Sequence, residues 1–382
     1  MRKFVGVMTG LTVAWSACAP VAIAQVPTSP DAVLSNYQDY LAAEKRDDLP
    51  AAEAAAGRAL AAAEARDGGA GSTAALAMNL AIVRLDMGHR AAALAPARRA
   101  LQLAQAGAKG VDVLAARLTV GEAELALNPR GDETGLLAAL READGRSDLD
   151  SFAYSAAVFL GAVANELQHW SNARVAWQSA QRHVQGAPGD PVLALDNAMI
   201  GEGVALTGAD NESEARLILG KAAASLAPLA PESADRENAT VAEVEYAQAL
   251  AWLATVSAKQ ATEGQATPPP AIAHPVSLPG QPPLCPGTFS PSVQPILPPG
   301  ELQQNSFGAG VLRFETTQTG DVTGVIKLAA IGGVEFRDAL NDPRVHWSFK
   351  PSKGAPPGCR LNSVDRLATV LFQNGSLEIA RD

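Results

Sequence analysis

The sequence predicts a multidomain protein: an all-α array of helical repeats, a proline-rich linker, and a small α+β domain at the end. Three observations carry this. Residues 31–260 show long alanine-rich helical patterns with almost no strand signal. Pro268 to Pro299 holds 12 prolines in 32 residues. After Gly300 the apolar period changes from helical to alternating. A chain of 382 residues has room for two domains, and 47 % apolar against 18 % charged residues allows a buried core. The net charge of -10 argues against a nucleic-acid partner, which needs a basic face for phosphates.

The N-terminus sets the compartment. Arg2 and Lys3 are followed by no charged residue until Asp31, and Phe4 to Val21 is apolar or small. Ala22-Ile23-Ala24 fits the small-x-small cleavage rule, so residues 1–24 read as a secretory signal that leaves Gln25 in front. Two rivals stay open: an uncut span from Phe4 to Ala24, or lipidation at Cys18, for which Trp15 is a poor fit. In each case the leading positive charges send the rest of the chain across the membrane. A periplasmic location is expected, with membrane attachment only if the segment is kept. Cys285 and Cys359 then remain in an oxidising compartment. A bridge between them would close about 75 residues, worth roughly 4 kcal/mol on the chain-entropy model; two unpaired thiols are the alternative.

In the helical region, 31–260, the sharpest unit is Leu160-Gly161 followed by Gln168, Trp170, Ala173, Trp177 and Ala180. The same frame fits Ala81, Gly88, Ala93, Ala97, Ala100 and Leu101. It fits Tyr40, Asp47, Ala52, Ala56, Ala59 and Leu60 earlier, and Gly201, Gly208, Ala215, Leu219 and Ala222 later. A weaker unit lies at 113–143. Ala59, Ala100, Ala180 and Ala222 are spaced by 41, 80 and 42 residues, a period near 40 with one degenerate copy between. Antiparallel helices approach closely only where small residues meet, and bulky ones fill the space between hairpins. This pattern resembles the tetratricopeptide repeat, with a longer period than usual; a plain bundle would share the composition. Trp170 and Trp177 fall at packing positions. A last helix near 238–259 should cap the stack with one solvated face.

Charge is uneven. Residues 25–263 carry 19 Lys/Arg against 31 Asp/Glu, 264–300 carry none, and 301–382 carry nine of each. The acidity of the helical array serves solubility, or forms an acidic concave face for a basic peptide.

The linker, 264–300, should be extended and solvated, because prolines lack backbone donors. In the end domain, 301–382, Leu312, Phe314 and Thr316 alternate with Arg313, Glu315 and Thr317. A turn at Gly320-Asp321 leads to Val322, Gly324, Ile326 and Leu328 on one face. "GGVEFRDALNDPRV" reads as a short helix, and Val345, Trp347 and Phe349 share a strand face. A last strand runs through "RLATVLFQNG".

This series is similar to the C-terminal domain of TonB-type energy transducers, through Gly320, Val322, Ala339, Leu340, Trp347, Phe349, Lys350 and Pro351. The resemblance implies strand addition, in which an exposed sheet edge grips an extended segment of an outer-membrane receptor. The edge strand would be Leu367–Phe372, with Leu367, Thr369, Val370, Leu371 and Phe372 in contact, over a core of Trp347 and Phe349. The chain departs from the family: Phe4–Ala24 has no histidine, and the linker is neutral.

No metal-protease, C-x-x-C, P-loop or G-x-S-x-G motif occurs, and His89, His169, His183, His274 and His346 are scattered. No cofactor or metal is expected. The expected function is a non-enzymatic envelope adaptor: the repeats bind one protein and the end domain adds a strand from another. The rival is a TonB-type transducer with a retained anchor; an envelope enzyme with an unrecognised site is the third reading. Intact mass from an envelope fraction is expected to start at Gln25, with both cysteines alkylated only after reduction. A full-length mass puts the transducer in front.

Overall fold

The computed structural model describes residues 30–67, 72–229, 240–262, 280–292, 307–332, 340, 344–373 and 376–379. The signal segment and the short helix expected at 332–345 lie mostly outside these. Among the described residues, eleven α-helices precede a small antiparallel-sheet region. The described chain divides into two compact bodies. One comprises the chain up to Val163 with Ser179–Pro188; the other comprises Ala164–Gln178 and the chain from Gly189.

The helices are α1 (Pro30–Glu44), α2 (Leu49–Asp67), α3 (Thr73–Asp86), α4 (Arg90–Gln105), α5 (Val113–Leu127) and α6 (Thr134–Ala143). They continue as α7 (Asp150–Glu166), α8 (Trp170–Arg182), α9 (Pro191–Gly208), α10 (Glu212–Leu226) and α11 (Val241–Thr262). Four helix-to-helix turns are built alike. Asp47, Gly88, Gln168 and Asp210 each take a positive φ two residues before the next helix begins. The following amide then donates back five residues: Asp48 to Ala43, His89 to Arg84, His169 to Ala164, and Asn211 to Leu206. This is the Schellman arrangement, which satisfies helix-end carbonyls and reverses the chain. The first bond of each second helix comes from Ala52, Ala93, Ala173 and Ala215, all fully buried. A larger side chain there would hold the paired helices apart. The weak unit 113–143 forms α5 and α6 around a different turn.

The strands are β1 (Gly287–Pro291), β2 (Phe307–Thr316), β3 (Val322–Ile331), β4 (Trp347–Pro351), β5 (Ser363–Gln373) and β6 (Ser376–Ile379). Four of them form an antiparallel sheet in the order β3-β2-β5-β6, and β1 pairs with β4 in a separate ribbon. Alternation on β2 sorts its two faces. Ala309 and Val311, with Leu367 of β5, join Tyr246, Leu250 and Leu253 of α11 in one core. Leu312 and Phe314, with Ala368 and Val370, join Phe289, Trp347 and Phe349 in another. The result is three layers: helix α11, the sheet, and the β1–β4 ribbon. Phe289 stacks on Phe314 at 3.9 Å between ring centroids, and Trp347 meets Phe314 edge-on at 5.2 Å.

Three expectations change here. α11 has no solvated outer face: it packs on α9 and α10, and also on β2, β3 and β5. The linker is not solvated throughout. Cys285 and Phe289 within it are buried, because the Cys285–Cys359 disulfide and the Phe289 ring fasten β1 to β4. On β3 the register to β2 shifts, with Val311 opposite Ala329 but Leu312 opposite Lys327. The bulge at Leu328 switches faces, so Val322 and Leu328 pack in different cores and Ile326 is exposed.

Arg313 of β2 faces α11, where its Nη1 donates to both carboxylate oxygens of Glu243 at 3.0 Å. Both side chains are buried. Glu243→Gln leaves the buried guanidinium without its counter-charge and should cost about 3–5 kcal/mol by chemical denaturation. Replacing both partners by apolar residues should cost much less than either single change.

Candidate interaction sites

The residues of the repeat frame end up in contacts between neighbouring helices. Ala81, Ala93, Ala100, Ala173 and Ala180 are fully buried, Gly161 is buried in α7, and Gly88 makes its turn. Trp177 lies against Gly201 of α9 and Trp170 against Gly208, so closely that a Cβ at either glycine would enter the ring. These two indoles pack flat on α9.

A line of acids runs along alternate helices. Glu44 ends α1, Asp86 ends α3 and Glu122 sits in α5, and each feels the charge of the one before it. Tyr40 donates to Glu44, and burial together with that bond pushes the phenol above its ordinary range. Burial, then the Glu44 charge, raises Asp86. Burial pushes Glu122 up to about 7; the Asp86 charge adds to this, while the Ser155 hydroxyl of α7 opposes it. That hydroxyl donates to both Glu122 oxygens at 3.1 and 3.2 Å. Among the described residues, no Lys, Arg or His pairs with Glu44, Asp86 or Glu122. Carboxylates elsewhere in the helical part do have arginine partners: Glu53 of α2 pairs with Arg84, Glu124 of α5 with Arg98 and Glu142 of α6 with Arg117. Glu44, Asp86 and Glu122 thus put three acids without a cationic partner on α1, α3 and α5.

The sheet offers a different edge from the one expected. Leu367, Thr369, Val370, Leu371 and Phe372 lie on β5, which is hydrogen-bonded to β2 on one side and, from Val370 to Gln373, to β6 on the other. Leu367, Thr369 and Val370 are buried. The strand is interior because Ser376–Ile379 returns beside it; the Asn374-Gly375 dipeptide is the sequence signal for that hairpin. The long open edge belongs to β3, touched only by a bridge from Asp321 to Ser348 among the described residues. Val325 and Ile326 there are 39 % and 38 % exposed.

The described residues singled out for the TonB resemblance lie in turn, core and strand-end positions of this module. Gly320 turns the chain with φ 87° before Val322. Trp347 and Phe349 are core, and Lys350 and Pro351 are exposed at the end of β4. Arg366, which the sequence reading passed over, is fully buried and sits 4.2 Å over the Phe349 ring. It donates to the carbonyls of Cys285, Arg360 and Leu361 at 2.8, 3.0 and 3.3 Å. One side chain thus collects the three strands of chain around the disulfide.

His183, treated as scattered, is buried between two acids. Its Nδ1 lies 2.8 Å from Asp150 and its Nε2 3.6 Å from Asp144. The ring N–H donates to Asp150, since an ionised carboxylate only accepts. Among the described residues no group of three or more His, Cys, Asp or Glu side chains is placed to hold a metal ion. No described helix is long and apolar enough to cross a membrane.

Glu122 binds a proton more tightly folded than unfolded, so its contribution to stability is lost as pH rises from about 4.5 to about 7. Glu122→Gln should flatten that window in pH-dependent melts. Ser155→Ala should move the Glu122 titration upward by about half to one unit, read by carboxyl carbon NMR. The chain matches no protein-family model, and a search of curated proteins finds no significant match.

Proposed function

We propose that the chain is a non-enzymatic interaction protein of the cell envelope, with a tetratricopeptide-like helical array and a TonB C-terminal-like end module. The observation that carries this is the open edge of β3, a ten-residue strand with exposed Val325 and Ile326. An unpaired edge of that length presents a row of backbone donors and acceptors to an incoming extended segment. Strand addition therefore belongs at β3, and the partner is an extended apolar peptide of an envelope protein.

Two further features support the reading. The four like-built turns and the small residues at fixed offsets suit a repeat array, and the arginine-free acids on α1, α3 and α5 suit a basic peptide. Gly320, Trp347 and Phe349 occupy turn and core positions that suit the TonB-like pattern. No arrangement of nucleophile, base and charge stabiliser among the described residues asks for an enzyme reading instead.

The test is binding of extended apolar peptides to the full chain. Ile326→Lys places a charge on the open edge and should weaken binding at least about tenfold, with circular dichroism unchanged. Unaltered affinity would sink strand addition at β3. Recovery of motor subunits with a full-length, uncut chain would turn the reading toward an anchored transducer.

A further inference from the structure

The pairing of β3 with β2 decides which side chains line the open edge. Glu315 lies opposite Gly324, and Arg313 lies opposite Ile326. Arg313 reaches Glu243 of α11, so Gly324 and Ile326 share the α11-facing side of the strand. Phe314 and Leu312 belong to the core under the β1–β4 ribbon, and their partners Val325 and Lys327 take that other side. Gly324 presents no side chain, and Glu315 fills the place of one. Its Oε2 lies 3.1 Å, and its Cβ 3.4 Å, from the point where a Cβ at Gly324 would stand. A carboxylate rooted on β2 thus lies over the outermost strand of the sheet, and the glycine is what lets it approach so closely.

A strand added outside β3 would run about 4.8 Å away. Its residue opposite Gly324 would place a Cβ about 5 Å from that same point. A lysine or arginine there reaches the Glu315 oxygens, while an acidic residue meets a like charge. Glu315 also has a partner within the protein, but a carboxylate has about four acceptor sites and can take a second donor. Asp321, at the start of the edge, is turned to the preceding turn, where its Oδ2 accepts from the Thr319 hydroxyl at 2.6 Å. Two residues along from Gly324, on the same side, the half-exposed Ile326 offers an apolar contact.

We infer, resting on the reading of β3 as a strand-addition edge, that Glu315 sets the specificity of that edge. The incoming segment carries a lysine or arginine opposite Gly324 and an apolar residue opposite Ile326, two positions away. The main-chain ladder is open to any extended segment, so it supplies affinity without choice. The carboxylate sorts segments by charge and holds their register, since a slip of one residue turns the basic side chain to the other face.

The test titrates the full chain with three dye-labelled peptides of about ten residues, read by fluorescence anisotropy. They alternate threonine and valine, with a central valine replaced by arginine, glutamine or glutamate. The arginine peptide should bind about threefold more tightly than the glutamine peptide and about tenfold more tightly than the glutamate peptide. The spread should shrink in about 0.5 M salt. Glu315→Gln should remove the ordering and Glu315→Lys should reverse it, with circular dichroism unchanged. The ordering in the unaltered chain needs no variant, so the test stands even where a variant does not fold. Equal binding of the three that Ile326→Lys still weakens, or an ordering that survives Glu315→Gln, overturns the inference and leaves strand addition at β3 in place. Binding by none of them, or binding that Ile326→Lys leaves unaltered, removes both.

Discussion

Helix α11 is the joint on which the end of the molecule depends. It has no free long face: α9 and α10 cover one side, and β2, β3 and β5 cover the other. A helix in that position must be apolar nearly all round, and its sequence, with Tyr246, Leu250, Leu253 and a run of alanines, is. The polar exceptions are therefore the informative residues. Glu243 and Glu245 sit one helical turn in from the start and are directed to opposite sides. Glu243 meets the Arg313 guanidinium, and Glu245 accepts from Asn197 of α9. Apolar contacts hold α11 in place, while Arg313 fixes its register on β2, since a slip would strand a charge in the core.

The helical part was legible because its constraints repeat. A small residue recurring at one place after a turn, as with Ala52, Ala93, Ala173 and Ala215, shows in sequence before any contact is known. The turns were legible too: Asp47, Gly88 and Gln168 were located from the offset alone and each takes a left-handed backbone. Period-two alternation found β2, and the two cysteines found each other.

What stayed hidden depended on long-range contact. Thr288-Phe289-Ser290 is too short and too proline-flanked to read as a strand; only β4 and the buried Phe289 ring make it one. β5 looked like an edge because its partner β6 is four residues long, below the length at which alternation can be recognised. Acidic residues on alanine-rich helices look alike in sequence. Glu124 is arginine-paired while Glu122, two residues away, is half-buried and faces Asp86, a difference of helix face that only neighbouring helices decide.

The Cys285–Cys359 bond also determines how the end module would bear a pull along the chain. Its two cysteines are 74 residues apart in sequence, and β1, β2, β3 and β4 all lie between them. Tension entering from the helical side crosses the sulfur bridge and continues into β5, so those four strands are bypassed. About 250 Å of contour length is shut away from extension. The module behaves as a short coupling under load, and only reduction of the bridge would let the enclosed strands pay out.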